Sequence, residues 1–197
     1  DVLKYIMKTE LKIIKHFIEN KKPKTIRGIA QQIKADYRIT HIAVKRLIEK
    51  KILKVQTVGK SSLCSLNEKY FGTSLYEAEN ERREEILKNR NINQLYKEIM
   101  SKVKISSFIL LLFGSYAKNK QTKSSDIDLL FISNEINFES KVSDILSLLP
   151  LKTHALIFTE EEFIRMKDSK KSNVIQEAIE SNIILYGIEA YYRLKNA

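Results

Sequence analysis

The sequence predicts an α+β protein built from two different parts. The first part shows three amphipathic helical patterns and then two short alternating runs around Gly59, which predict a hairpin. The last part alternates continuous apolar runs, typical of buried strands, with helical segments. A length of 197 residues is sufficient for two cores. We therefore expect one domain at 1–70 and another at 105–197, joined by a helical linker at 71–104.

The N-terminal part begins with an amphipathic helix from Leu3 to Ile18. A second helical pattern follows Pro23, and the segment Asp36–Arg38 is interpreted as a short turn. A third helix comes next, and Thr40 is the residue type expected at its N-cap. The order is therefore helix, helix, tight turn, helix, hairpin.

Basic residues are concentrated in this same part. Residues 1–70 hold 17 Lys and Arg against 6 Asp and Glu, whereas residues 105–197 hold 11 against 12. A surface that is merely solvated would spread the charge more evenly. The distribution favours a polyanionic partner for the N-terminal domain.

This part of the chain, about residues 1–68, resembles the winged helix-turn-helix transcriptional regulators. The resemblance implies binding of double-stranded DNA, with the third helix in the major groove and the hairpin, or wing, near the backbone. Two alternatives stand beside it: a winged helix that binds protein, and a His41 that is simply a surface residue at a helix end. The residues that the resemblance places on DNA are Thr40, His41, Lys45 and Arg46 of the helix and Lys60 and Ser61 of the wing.

The middle of the chain carries an apolar stripe at helical spacing, formed by Ile92, Leu95, Ile99 and Val103. The stripe is too short for a coiled coil. We expect it to pack on the C-terminal domain rather than to form a dimer seam, although a homodimer would suit DNA binding.

The stretch LLLFGSYAKNKQTKSSDIDLLFIS, residues 110–133, predicts the chemistry. Asp126 and Asp128 lie at alternate positions of an extended segment, so their side chains share one face of a strand. Two carboxylates so placed favour a divalent metal, and hard oxygen ligands suit Mg²⁺. Gly114 allows close approach of the backbone, and Ser115 adds a hydroxyl at a turn whose N–H groups suit phosphates.

These residues resemble the signature of the DNA polymerase beta-like nucleotidyltransferase superfamily, Gly-Ser-x-Ala-Arg-Gly followed by Ser-Asp-x-Asp-Leu. They resemble its minimal nucleotidyltransferase branch most, over roughly residues 90–190. The resemblance implies a small mixed sheet, Mg²⁺ or Mn²⁺, and ATP or another nucleoside triphosphate. It further implies that Asp126 and Asp128 hold the metal, that Gly114 and Ser115 bind the triphosphate, and that Ser125 steadies the turn before the aspartates.

The chain departs from that signature at three positions. Lys118 replaces the usual Arg of the nucleotide-binding turn, and Asn119 replaces the usual Gly but tolerates the left-handed conformation. His154 stands where the third catalytic carboxylate is expected. A neutral imidazole would be a base or a metal ligand but carries no negative charge. Glu160, Glu161 and Glu162 begin a helix by pattern and are expected to cap it.

We therefore predict a DNA-binding transcriptional regulator whose second domain binds a nucleotide with Mg²⁺ and transfers a nucleotidyl group, in an antitoxin-like manner if the acceptor is a protein. One alternative is a catalytically silent domain used as a nucleotide sensor or dimerisation scaffold. Another is an enzyme whose winged helix holds an RNA or protein substrate.

The single cysteine, Cys64, excludes an intramolecular disulfide framework and fits a reducing, cytoplasmic compartment. The sequence holds no apolar run of about 18 residues, so no membrane is expected as a partner.

Overall fold

The computed structural model describes residues 2–104 and 107–197 and divides the chain into two compact units. Unit 1 ends at Ala78 and unit 2 begins at Glu79, so the division falls inside a helix. The sequence instead suggests boundaries at 70 and 104. Residue 105, where it predicts the last domain to begin, lies outside the described residues.

Unit 1 contains the predicted order of three helices and a hairpin. In the antiparallel hairpin Val58 pairs with Ser61, and Gly59 in the turn has a φ of +59°, which favours glycine. The element order is therefore as expected, while the winged-helix class stays a prediction. The elements are α1 (Val2–Glu19), α2 (Ile26–Gln32), α3 (Tyr37–Glu49), β1 (Leu53–Val58) and β2 (Ser61–Leu66).

Helix α3 begins earlier than the sequence suggests. The carboxylate of Asp36 accepts hydrogen bonds from the N–H groups of Arg38 (2.8 Å) and Ile39 (3.1 Å), so Asp36 is the N-cap. Thr40, predicted as the cap, lies inside the helix, is fully buried, and donates its hydroxyl to the Asp36 carbonyl at 2.8 Å. The expected turn at 36–38 is therefore the cap and first residues of α3.

Helix α1 packs only part of its apolar stripe into unit 1. Ile13, Ile14 and Phe17 are buried, and each such side chain contributes about 1.5–3 kcal/mol. Leu3 and Met7, which the spacing assigns to the same stripe, are more than half exposed. The first two turns of α1 therefore expose apolar side chains.

Unit 2 is built around a four-stranded mixed sheet, as the resemblance implies. The strand order is β5-β4-β3-β6, in which β3 is antiparallel to β4 and β6 and β4 is parallel to β5. Helix α4 (Thr73–Ile86) runs across the division between the units. The remaining elements are α5 (Arg90–Lys102), β3 (Ile109–Phe113), α6 (Gly114–Ala117), β4 (Ile127–Ile132), α7 (Phe138–Ser147), β5 (Thr153–Phe158), α8 (Glu160–Lys167), α9 (Val174–Glu180), β6 (Ile183–Tyr186) and α10 (Ile188–Lys195).

Helix α5 belongs to the core of unit 2. Ile92, Leu95 and Ile99 are fully buried in one cluster with residues of β3, β4 and α7. The preference for packing on the C-terminal domain is confirmed. The second half of the expected linker at 71–104 therefore lies in the layer that covers this sheet.

A buried polar network in unit 2 links α4 to α10 and to the residue that precedes β6. The Glu79 carboxylate accepts a hydrogen bond from the Tyr192 hydroxyl and pairs with Arg82 at 2.6 Å. Arg82 also donates to the Asn182 carbonyl at 2.7 Å. The pKa of Tyr192 is raised mainly by burial and next by the negative charge of the Glu79 carboxylate. The hydroxyl therefore stays protonated and donates the hydrogen bond. The network fixes the C-terminal half of α4.

None of the helices in the described ranges is both long enough and apolar enough to cross a bilayer.

Candidate active site

The topology of the sheet brings the predicted catalytic residues together. Strand β3 ends at Phe113, which pairs with Asp128 of β4. Asp128 pairs in turn with His154 on the other side, across the parallel β4–β5 ladder. Gly114 follows β3 directly, and Asp126 directly precedes β4. Residues from three neighbouring strands or the turns beside them therefore lie at one end of these strands.

Gly114 is the residue most tightly constrained by this site. Its φ is +67°, and a Cβ at this position would lie 2.1 Å from Oδ2 and 2.9 Å from Cγ of Asp128. Real Cβ atoms never approach a neighbour so closely. The backbone conformation and the neighbouring carboxylate thus both require glycine.

Asp128 and His154 form a polar pair. Nδ1 of His154 lies 3.5 Å from Oδ1 of Asp128, and their side chains are 60% and 27% exposed. The exposed carboxylate of Asp126 lies two residues before Asp128 on an extended segment, and therefore on the same face. The half-buried carboxylate of Asp128 thus faces an accessible imidazole, and the exposed carboxylate of Asp126 lies two residues before Asp128.

The loop between α6 and β4 is held by its own hydroxyls. Ser125 Oγ accepts a hydrogen bond from the N–H of Thr122 at 2.9 Å, just before Asp126. Asn119 adopts a left-handed φ of 52°, the conformation for which Gly is usual. Lys118 pairs with Glu177 of α9 at 2.9 Å, so a phosphate would compete with that carboxylate. Ser115, half-buried, lies in the first turn of α6.

The three glutamates after β5 lie away from this site. Thr159 and Glu162 form a capping box at the start of α8, as the sequence predicts. The hydrogen bonds from Thr159 lower the pKa of the Glu162 carboxyl. Because β4 and β5 are parallel, Glu160 follows the far end of β5, about 20 Å along the strand from His154. These residues cannot replace the third carboxylate.

The residues present fit a divalent cation that takes only one or two ligands from the protein and the others from water and substrate phosphates. Within the described ranges no group of three or more His, Cys, Asp and Glu is arranged to hold a metal ion. Mg²⁺, however, is usually held by one or two carboxylates, with water and substrate phosphates completing its shell. The Asp128 carboxylate lies against Gly114, where a Cβ would otherwise be, and its side chain is partly exposed. Asp126 and Asp128 are therefore the residues that would hold Mg²⁺ or Mn²⁺.

The residues predicted to contact DNA are only partly placed as expected. Lys45 of α3 and Lys60 and Ser61 of the hairpin are exposed, and His41 is half-buried. Thr40 is buried and cannot contact a ligand, which corrects its assignment.

Arg46, also predicted to contact DNA, has a partner within unit 1. Its Nε donates to Oε1 of Glu10, a nearly buried residue of α1, which also pairs with Lys50 at 2.9 Å. Arg46 therefore forms a salt bridge between α3 and α1, and 34% of its side chain is exposed.

Other exposed residues of α3 were missed by the sequence reasoning. Tyr37, Arg38 and Ile42 lie on the same outer face as Lys45. An open cavity of about 580 Å³ between α2 and the start of α3 is lined by Arg27, Ala30, Gln31, Lys34, Ala35 and Tyr37. The residue that indicates their place in the helix is Asp36, a common N-cap type, because a helix capped by Asp36 includes residues 37 and 38.

Comparison with known proteins identifies the class of unit 2. The family model described as "Polymerase beta, Nucleotidyltransferase" matches residues 93–190. A protein of Methanocaldococcus jannaschii named "Putative protein adenylyltransferase MJ0126" is 33% identical over 89 residues, which cover 45% of this chain and 83% of the relative. No match was found among solved structures. The chain belongs to the polymerase beta nucleotidyltransferase family.

The family match confirms the resemblance that Gly114, Asp126 and Asp128 carry. It begins at residue 93, so the winged helix of unit 1 stays a prediction.

Proposed function

We propose that unit 2 transfers a nucleotidyl group from ATP, or another nucleoside triphosphate, to a hydroxyl group of a protein. The observation that carries the proposal is the contact between Gly114 and the Asp128 carboxylate, with His154 at 3.5 Å on the neighbouring strand. Gly114 lets the Asp128 carboxylate lie directly against the turn after β3, and this carboxylate is still partly exposed. A carboxylate held in this position is suited to bind a cation together with its phosphate ligands.

In this proposal Asp126 and Asp128 hold the cation, and through it the triphosphate. A bound Mg²⁺ or Mn²⁺ would offset the negative charge of the phosphates and of the departing pyrophosphate. The backbone N–H groups after Gly114 and the Ser115 hydroxyl donate to phosphate oxygens. Lys118 exchanges its partner Glu177 for a phosphate, and Ser125 keeps the loop before Asp126 in place.

His154 acts as the general base. The acceptor hydroxyl oxygen attacks the α-phosphorus, the bond between that phosphorus and the α–β bridging oxygen breaks, and pyrophosphate leaves. The hydroxyl proton passes to Nε2 of His154, because Nδ1 faces the Asp128 carboxylate. The imidazole is 60% exposed, which leaves it accessible to a large acceptor.

A protein acceptor is favoured by the printed name of the Methanocaldococcus relative, a protein adenylyltransferase. An antitoxin-like role, in which a partner protein is modified, follows from the same reasoning. We place the protein in the reducing cytoplasm, which suits its single free and buried Cys64.

Calorimetric titration of ATP with Mg²⁺ tests the nucleotide site first. We expect binding in the micromolar range for the wild type and loss of most of it in Asp126→Ala/Asp128→Ala. The matched control is Glu139→Ala/Asp144→Ala, which removes the same charge from the exposed surface of α7. Loss of binding in both double variants would mean that only net charge matters, which contradicts a cation site.

Labelled ATP then separates an active enzyme from a silent one. Protein becomes labelled by the wild type in the proposed reaction, and His154→Ala lowers the rate by about 10²-fold or more, as expected for loss of a general base. His154→Asp restores the carboxylate expected in the family and raises the rate. A wild type that binds ATP but labels no protein or RNA would favour the silent nucleotide sensor instead.

We propose in addition that unit 1 is a winged helix that binds double-stranded DNA. The supporting observation is the outer face of α3, which lies within the basic N-terminal third of the sequence. The exposed residues of this face are Tyr37, Arg38, Ile42 and Lys45. Phosphate contacts of these cations would supply most of the affinity and its salt dependence. A homodimer would present two such helices to one duplex.

Fluorescence anisotropy with a labelled duplex at several salt concentrations tests this proposal. Lys45→Ala should weaken binding to all duplexes and lower the slope of log affinity against log salt by about 1. Lys141→Ala, on the exposed surface of α7, is the control. A duplex that does not bind at low salt would favour a protein-binding winged helix.

A further inference from the structure

We propose that the acceptor is an acidic polypeptide segment that pairs as an additional strand with the open edge of β5. This inference rests on the proposed function, since it names the acceptor of that reaction. It depends on the unpaired side of an edge strand and on the lysines at one end of it.

Strand β5 lies at the end of the sheet and has one neighbour, β4, among the described strands. The ladder to β4 includes hydrogen bonds from Ile127 N–H to the Lys152 carbonyl (2.8 Å) and from Ser133 N–H to the Phe158 carbonyl (3.0 Å). In a parallel ladder the bonded residues alternate. The even-numbered residues of β5 therefore face β4, and the N–H and C=O groups of Thr153, Ala155 and Ile157 face the open edge.

An edge of this kind is complementary to another main chain. Its donors and acceptors alternate at the spacing of a strand, and added strands bind through them in many peptide complexes. A nucleic acid strand offers no matching row of N–H and C=O groups. The open edge therefore favours a polypeptide over RNA as the occupant.

The edge adjoins the reacting residues. His154 belongs to β5 itself and lies between Thr153 and Ala155, two of the residues that face the open edge. A strand paired there would run about 4.7–4.9 Å from β5. A hydroxyl side chain of that strand would then approach the same face on which His154 and Asp128 lie.

The charged residues at the two ends of β5 favour an acidic segment as the bound polypeptide. Lys152 precedes β5 and is exposed, and exposed Lys120 and Lys123 lie in the loop that leads to Asp126 at the same end of the sheet. Glu160 and Glu161 follow the opposite end of β5 and are exposed. Asp126 and Asp128 lie at the same end, and the cation proposed to bind them would offset their charge. A segment with carboxylates near the site end is then attracted by the lysines, whereas a basic segment is repelled.

Direct binding tests the inference without requiring catalysis. The probe is a fluorescein-labelled random copolymer of glutamate and tyrosine, compared by anisotropy with a lysine–tyrosine copolymer and a single-stranded RNA. We expect the wild type to bind the acidic copolymer best. Ala155→Pro should weaken that binding about tenfold, the equivalent of one or two net hydrogen bonds, without removing a bond of the β4–β5 ladder.

A charge variant keeps the test valid if the proline disturbs folding. Lys152→Glu should weaken binding of the acidic copolymer about tenfold and leave the affinity for ATP with Mg²⁺ unchanged. Lys141→Glu on α7 alters the net charge equally and should change neither affinity. Thermal melting of each variant reports whether it is folded.

Three outcomes overturn the inference. One is RNA that binds more tightly than the acidic copolymer and is insensitive to Ala155→Pro. Another is a wild type that has the mass of a dimer in solution and becomes a monomer in Ala155→Pro. A second copy of the chain would then occupy the open edge of β5. The third is equal binding of acidic and basic copolymers. Failure of ATP to bind while the copolymer still binds would instead refute the proposed function alone.

Discussion

Replacement of Gly114 by alanine provides the sharpest test of the site. The new Cβ would lie 2.1 Å from Oδ2 of Asp128, so the carboxylate must rotate away. A left-handed alanine costs about 1–2 kcal/mol, and an unfavourable rotamer of the displaced aspartate costs about 1 more. The sum is about 2–3 kcal/mol, which should lower the melting temperature of a domain of this size by roughly 10 °C.

The same variant should lose binding of ATP with Mg²⁺ at temperatures where it is folded, because Asp128 no longer faces the space above the turn. Gly187→Ala is the matched control. Gly187 is also in unit 2, has a φ of +80°, and its Cβ would lie 2.7 Å from the Phe108 carbonyl oxygen. It should destabilise unit 2 without affecting nucleotide affinity.

Calorimetry and thermal melting of the two variants separate stability from binding. The reasoning is refuted if Gly114→Ala binds ATP as tightly as the wild type. It is equally refuted if Gly187→Ala, while folded, loses binding to the same degree as Gly114→Ala.

Three further predictions concern stability. The pKa of His16 is lowered from 6.5, mainly by burial. Because the unfolded chain then binds the proton more readily than the folded one, the free energy of unfolding should fall as the pH drops below about 6.5. Denaturant titrations at about pH 7.5 and 5.5 should show this fall in the wild type and a smaller one in His16→Leu. Glu79→Leu removes the buried partner of Arg82 and Tyr192 and should cost about 3 kcal/mol or more in urea unfolding, whereas an effect below about 1 kcal/mol would contradict a role for the network. Thr159→Ala removes the cap of α8 and should cost about 1 kcal/mol, and hydrogen exchange in α8 that stays as slow as in the wild type would contradict this.

Several features of the fold follow directly from local sequence. Five consecutive apolar residues, Ile109–Phe113, cannot be solvated without loss and form a fully buried strand. The residues around Gly59 favour a hairpin because glycine accepts the left-handed turn. The capping residues Thr159 and Glu162 start α8 through hydrogen bonds to their own first turn. Such patterns are readable because their partners lie a few residues away.

Partners that lie far away along the chain are not visible in the sequence. Arg46 has the spacing and charge of a DNA contact, and the structure pairs it with Glu10, 36 positions earlier. Lys118 likewise pairs with Glu177 across 59 positions. The helix α5 looks like a linker in sequence because its polar face is long, yet Ile92, Leu95 and Ile99 complete the core. Sequence patterns carry no record of which charged groups meet after folding.

The sequence by itself determined the alternation of apolar strands and helices, the signature residues Gly114, Asp126 and Asp128, and the replacement of a carboxylate by His154. The strands and helices follow from residue type and spacing, whereas the signature and the place of His154 follow from the resemblance to the family. Only the tertiary structure decided that the Asp128 carboxylate lies against Gly114 and that the strand register pairs Asp128 with His154. It also decided that β5 has a single neighbour among the described strands. The reason is physical: register and strand order are fixed by packing and hydrogen bonds between segments whose separation along the chain leaves no local trace.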